Sequence, residues 1–167
     1  MKQRTISAAG KFLMKLSPIK ICIIDDEEAY FNKSMLETAK NSGFKKIDRH
    51  YKIDHKLFTS LQQSPYDILI LDVQGIVDPT VAKDGLYVAS TLTRTTNSYI
   101  AITSAHQFHL TNKITEVDYI IEQRLLTAVD FLDILIHMTD DYLERKAKPY
   151  KNLIFKLGFS LAKKSLG

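Results

Sequence analysis

The chain has 167 residues, a formal net charge of +4, and 45% hydrophobic against 25% charged residues, values that fit one globular domain with a sizeable core and exclude a disordered or collagen-like chain. No apolar run approaches the ~20 residues of a membrane span, and a single cysteine, Cys22, rules out an internal disulfide framework. The charge is unevenly placed: residues 1–20 and 149–167 carry lysines and arginine but no acid, so all 19 acidic residues lie between them and an acidic body stands between two basic ends.

Residues 1–18 read as a basic N-terminal extension in which Lys11-Phe12-Leu13-Met14-Lys15-Leu16 is basic and apolar, stopping at Pro18. It lacks the apolar core and cleavage site of a secretory signal, so a cytoplasmic location is expected. Ile19–Ile24 is an apolar run of strand length, with Cys22 as a small buried hydrophobe, and Asp25-Asp26 end it. Tyr30, Phe31, Met35, Leu36 and Ala39 then recur near helical spacing, which predicts a helix over Glu27–Ser42 closed by Gly43. Lys45–Tyr51 is a more polar strand suited to a sheet edge, and Asp54 is placed to cap a helix through Leu57, Phe58 and Leu61 to about Ser64. Tyr66–Asp72 is the strongest strand signal, and Asp72 ends it. A loop follows; Gly85–Arg94 returns to helical period, Tyr99–Thr103 is strand-like, and His106–Thr115 suggests a short polar helix before the strand Val117–Ile121. The last body helix runs from Leu125 to about Lys146, after which Pro149 is expected to separate a basic amphipathic helix, 147–167, with Leu153, Ile154, Leu157 and Leu161 on one stripe and Phe155 and Phe159 on a second.

Five strands alternating with five helices imply right-handed βαβ units and an α/β fold. The expected architecture is a doubly wound five-stranded parallel sheet, flavodoxin-like with strand order 2-1-3-4-5, over residues 19–146, flanked by basic N- and C-terminal helical extensions. In that order the first and third strands are neighbours, so Asp25, Asp26 and Asp72 meet at the switch point. Three converging carboxylates repel one another unless a cation sits between them, and Mg²⁺, hard and oxygen-seeking, suits such a crevice.

The stretches Ile-Ile-Asp25-Asp26-Glu27 and Leu-Ile-Leu-Asp72, Thr103 after the fourth strand, and Asp118-Tyr119-Ile120-Ile121 in the fifth resemble, in order and spacing, the receiver domain of two-component response regulators. The resemblance implies that Asp72 is the phosphoacceptor, that Asp25, Asp26 and Asp72 hold Mg²⁺ with the backbone carbonyl of Gln74, that Thr103 is the switch hydroxyl and that Tyr119 is the switch aromatic. Ser104 follows Thr103 directly, so the hydroxyl assignment can slip by one. Two departures stand out. Receivers carry a lysine then a proline after the fifth-strand motif, where this chain has Glu122 and Gln123. Two unit charges about 4 Å apart interact by roughly 4 kcal/mol at an effective dielectric near 20, so a reversed sign there is not neutral if Glu122 points inward. Either Arg124 or a lysine such as Lys83 takes over the role, or Glu122 turns away, or the site no longer handles phosphate in the usual way. The loop Val73–Asp84 is also longer than in receivers by about five residues, with Gly75 and Pro79 in it, and could cover the site or present a new surface.

Other candidates are weaker. His106 and His109 lack a third ligand nearby, His137 lies in the last body helix where packing at the core edge is expected, and no phosphate loop or nucleophile elbow is present. The expected function is a stand-alone response regulator receiver, not an enzyme beyond its own phosphorylation and dephosphorylation, served by a histidine kinase or phosphotransfer protein and signalling to a downstream protein target. The alternative is a pseudo-receiver adaptor that binds its partner without phosphorylation because of Glu122. A Mg²⁺-dependent phosphatase would place an acid two residues after its nucleophile, where this chain has Gln74. About 20 residues after position 146 are too few for a helix-turn-helix domain, so DNA binding is not expected. The basic ends suit a homodimer contact or docking on the domain, with an anionic membrane surface as an alternative.

Overall fold

The computed structural model describes residues 16–103, 117–122 and 125–164, with side chains described as far as Lys148. Strands β1 (Lys20–Ile24), β2 (Lys46–His50), β3 (Ile68–Asp72), β4 (Tyr99–Thr103) and β5 (Tyr119–Ile121) form one sheet, all in parallel, in the order β2-β1-β3-β4-β5. Among the described residues lie helices α1 (Lys33–Asn41), α2 (His55–Leu61), α3 (Gly85–Thr95) and α4 (Ala128–Lys164). This is the doubly wound arrangement expected from the alternation of runs, and it puts the tip of β3 beside that of β1.

Period-two alternation divides each strand between two cores. Ile21, Ile23, Ile68, Ile70 and Ala101 face α1 and α4, where they meet Phe31, Met35, Phe131, Leu135 and Met138. Cys22, Ile24, Leu69, Leu71, Ile100 and Ile102 face the opposite way, toward Leu61 of α2 and Val88, Ala89 and Leu92 of α3. Cys22 is fully buried, and that burial, followed by the nearby Asp48 charge, pushes its thiol far up, so it behaves as an inert hydrophobe. Leu16, at the end of the N-terminal segment, is buried in the α1/α4 core.

Cap residues set the helix starts. The carboxylates of Asp54 and Asp84 accept from the amides of Leu57 and Tyr87, each at the third helical position, and Asn32 does the same for Met35. The Asn32 cap corrects the expected start of the first helix at Glu27: residues 27–31 form turns, and the apolar spacing that suggested a helix there reflects Phe31 reaching the core from a loop. β5 is also shorter than expected, because Asp118 is spent outside it. Its carboxylate accepts from the Ile100 amide at 2.7 Å and pairs with Arg145 of α4 at 2.8 Å. Tyr142 donates to Asp67, just before β3 at the same N-terminal edge of the sheet, which fixes α4 across β3 and β4.

α4 continues through Pro149 to Lys164, so the expected break at that proline is absent from the backbone. A proline inside a helix removes one hydrogen bond at a cost of about 3 kcal/mol, and long helices on either side can absorb it as a local distortion. The stripes of Leu153, Ile154, Leu157, Leu161, Phe155 and Phe159, the segment Lys11–Lys15 and the short helix at His106–Thr115, with His106 and His109, lie outside the described side chains or residues.

Candidate functional site

Asp25, Asp72 and Thr103 share the parity of the strand residues that face α1 and α4, and they stand in a row across three neighbouring strands. Asp72 and Thr103 are register partners in β3 and β4, while Ile24 and Leu71 pair just below Asp25 and Asp72. Asp25 and Thr103 are each only 3% exposed. Ionisable and hydroxyl groups buried at strand tips need partners, and the local backbone supplies several. Asp25 Oδ1 accepts from the Glu27 amide at 2.7 Å, and Asp72 Oδ1 from the Val73 amide at 2.8 Å.

These hydrogen bonds do not offset burial. Desolvation pushes the Asp25 carboxyl up, opposed by the Glu27 amide and the Arg49 charge and reinforced by Asp26 and Glu27. Asp72 is raised to about 6, first by desolvation, with the charges of Asp25 and Asp26 adding to it and the Val73 and Gln74 amides opposing. Asp72 is the one short of positive charge: among the described residues no ion pair involves it, Lys83 is exposed, and Arg124 lies outside the described residues. Glu122, just after β5, is exposed.

Asp26 is exposed, and its carboxylate lies against the backbone of Gly75; a Cβ there would come within 2.1 Å of Oδ2, and φ is +74°. The long loop after β3 therefore folds back over the rim of the crevice. Its other side is zipped onto the segment after β2: Ile53 donates to the carbonyl of Ile76, Asp78 donates back to Ile53 at 3.0 Å, and Ile53 forms a parallel bridge with Val77. Ile53 and Ile76 are fully buried. The carbonyl of Gln74 accepts the Ile76 amide at 2.9 Å, so one of its lone pairs is engaged within the loop.

Among the described residues no three His, Cys, Asp or Glu side chains are arranged to hold a metal ion. Mg²⁺ needs fewer, since one or two carboxylates with retained waters suffice. Asp25, buried, and Asp72, partly buried beside it, repel each other and fit that requirement.

Two residues of this site escaped the sequence reading. Tyr30, in the loop after β1, accepts a hydrogen bond from Thr103 Oγ1 at 3.2 Å, and the charges of Asp25 and Asp72 both act on its phenol. Burial is the largest influence there and raises the phenol further above its ordinary range. Arg49, on β2 beside β1, donates to the carbonyls of Glu27 at 2.8 Å, Glu28 at 3.2 Å and Phe31. A planar fork of donors suits such a set of carbonyls, and it fixes the loop that carries Tyr30. Replacing Arg49 with methionine keeps the apolar stem and removes every donor; with charged hydrogen bonds worth about 1.5–3 kcal/mol each and partly replaced by water, the expected loss of stability is about 2–3 kcal/mol by urea unfolding, with faster amide exchange over residues 27–31. Unchanged exchange there would show that the loop is held by other contacts.

Tyr119, expected as the switch aromatic, is half-buried on β5 with its ring edge-on to that of His137 at 5.5 Å. His137 is exposed and lies 3.6 Å from the carboxylate of Asp141. Ser104 lies outside the described residues.

No protein-family model and no curated protein matches the sequence. Solved structures do. A response regulator receiver domain (CheY-like) from Methylobacillus flagellatus superposes with a TM-score of 0.55 at 17% identity, covering 72% of this chain and 98% of that one. A two component transcriptional regulator AraC from Clostridium phytofermentans gives 0.55 at 16% identity, over 78% and 98% of the two chains. NtrX from Brucella abortus, solved in complex with ATP, gives 0.56 at 14% identity over 77% of this chain and 29% of its own. At these identities the likeness is one of fold: the chain has the flavodoxin-like fold of response regulator receivers.

Proposed function

We propose that the protein is a receiver-type signalling switch that accepts a phosphoryl group on Asp72 from a histidine kinase or phosphotransfer protein and passes the signal on by protein contact. The observation that carries this reading is the row at the strand tips: a partly buried Asp72 carboxylate beside the buried Asp25, with the buried Thr103 hydroxyl one strand away in register.

In the proposed reaction one oxygen of ionised Asp72 attacks phosphorus, the bond from phosphorus to the donor's leaving group breaks, and an aspartyl phosphate forms. Because Asp72 titrates near 6, it is ionised and nucleophilic at neutral pH. Thr103 can donate to one of the transferred oxygens, and the amides of Val73 and Gln74, which already bond the carboxylate, keep it oriented. Bound Mg²⁺, held by Asp25 and Asp72, would supply positive charge to offset the charge gathered on the phosphoryl oxygens. Glu122, exposed at the position of the usual lysine, contributes no such charge.

With acetyl phosphate and Mg²⁺, intact-mass spectrometry should find one added phosphoryl group on the wild type and none on Asp72→Asn. Glu122 favours a second reading, the constitutive adaptor, and that reading would stand if neither acetyl phosphate nor beryllofluoride produced any adduct or spectral response. Among the described residues no helix is long and apolar enough to cross a membrane. We assign the basic extensions, 1–18 and 147–167, to docking on the domain itself, where Leu16 is buried, or on a second copy of the chain.

A further inference from the structure

The geometry points to Tyr30 as a positioning residue that holds the Thr103 hydroxyl away from an incoming phosphoryl group and must release it for phosphorylation to proceed. This rests on the reading of Asp72 as phosphoacceptor and adds to it a residue that the receiver pattern does not contain.

Sheet order carries the argument. Tyr30 belongs to the loop after β1, Thr103 ends β4, and β3 runs between those two strands with Asp72 at its tip. A hydrogen bond from that loop to Thr103 therefore spans the strand that presents the nucleophile, on the face that Asp25, Asp72 and Thr103 share. The phenol cannot drift away easily. Phe31 is fully buried against Phe131 at 5.4 Å, its ring meets that of Tyr30 edge-on at 4.7 Å, and Arg49 grips the carbonyls on both sides of Tyr30. A hydroxyl has one hydrogen to donate, and that of Thr103 is given to Tyr30. To donate to a phosphoryl oxygen, Thr103 has to break this bond.

The strength of one neutral hydrogen bond sets the size of the effect. A net value of about 0.5–1.5 kcal/mol corresponds to roughly a two- to tenfold shift in an equilibrium that requires the bond to open. The test compares the affinity of Mg²⁺-beryllofluoride, by isothermal titration calorimetry, for the wild type, Tyr30→Phe, Thr103→Val and the double variant. Phenylalanine keeps the ring and its packing on Phe31, so the melting temperature should move by only a few degrees. Tyr30→Phe should bind roughly two- to tenfold tighter than the wild type, and the same change should have no effect in the Thr103→Val background. Equal or weaker binding by Tyr30→Phe, with wild-type binding intact, overturns the gating role alone. A gain that persists without the Thr103 hydroxyl overturns it as well, because the phenol would then act by bulk or charge. Absence of binding by all four proteins overturns the phosphoacceptor reading, and the gate with it.

Discussion

Gly85→Ala is expected to lose about 3 kcal/mol of stability or more, a fall of roughly 6–12 °C in melting temperature for a domain of this size. A Cβ at Gly85 would stand 2.0 Å from the carbonyl oxygen of Asp72 and 3.1 Å from Cα of Val73, both backbone atoms that no side-chain rotation can clear. The close approach is fixed from both sides. The Gly85 amide donates to the Val73 carbonyl at 2.9 Å, and Asp84 caps α3 one residue earlier. Relief would require α3 to lift from β3, opening the buried contacts of Val88, Ala89 and Leu92. Because the clash falls on Asp72 itself, the variant should also lose phosphoryl uptake out of proportion to its unfolded fraction at the assay temperature. A melting curve within about 2 °C of wild type would show that the helix start is free to shift.

Asp72→Asn should be more stable than the wild type at neutral pH, even though it removes the proposed nucleophile. An unfolded aspartate titrates near about 3.9, whereas the folded carboxyl of Asp72 titrates near 6, so the native state holds this proton more tightly. The stability linked to that proton is complete below about pH 4 and is lost as pH rises through 6. Asparagine keeps the neutral form at every pH. Because Asp72 is only partly buried, solvent screens part of the penalty, and a gain of about 1–2 kcal/mol is expected at pH 7.5, vanishing near pH 4. Mg²⁺ should narrow the difference at pH 7.5 by stabilising the wild type, with little effect on the variant. Unfolding in urea across pH 4–8 provides the measurement; parallel curves for the two proteins would mean that neither burial nor the charges of Asp25 and Asp26 raise the Asp72 carboxyl.

Much of the crevice could be read from short-range pattern. Apolar runs ending in Asp25 and Asp72, together with the alternation of runs and helical segments, sufficed for the strand order because parallel crossovers leave few topologies open. Asp54 could be recognised as a cap because the rule for that position is local. What escaped was set by contacts distant in sequence. Arg49 binds carbonyls of residues 27–31, and a guanidinium leaves no trace in the sequence of the loop it grips. Tyr30 sat in a plausible helical stripe with Phe31 and Met35, and only the Asn32 cap shows that the stripe begins in a turn. Pro149 misled in the opposite direction, because a local penalty of a few kcal/mol was weighed without the long helix around it. Glu122 was legible as a departure from the receiver pattern; its exposure was not, since exposure at a strand end depends on neighbours that the strand does not choose.

The bridge between Ile53 and Val77 has a mechanical consequence for the loop that follows Asp72. An unsupported excursion from β3 to α3 would behave as a slack tether, and motion at its root would dissipate along its length. With Ile76 buried and its carbonyl bound to Ile53, the tether is pinned midway and its first half becomes a short strut between Asp72 and the segment leaving β2. Strain imposed at the crevice is thus shared with the β2 edge of the sheet, the edge opposite the one where Tyr119 lies.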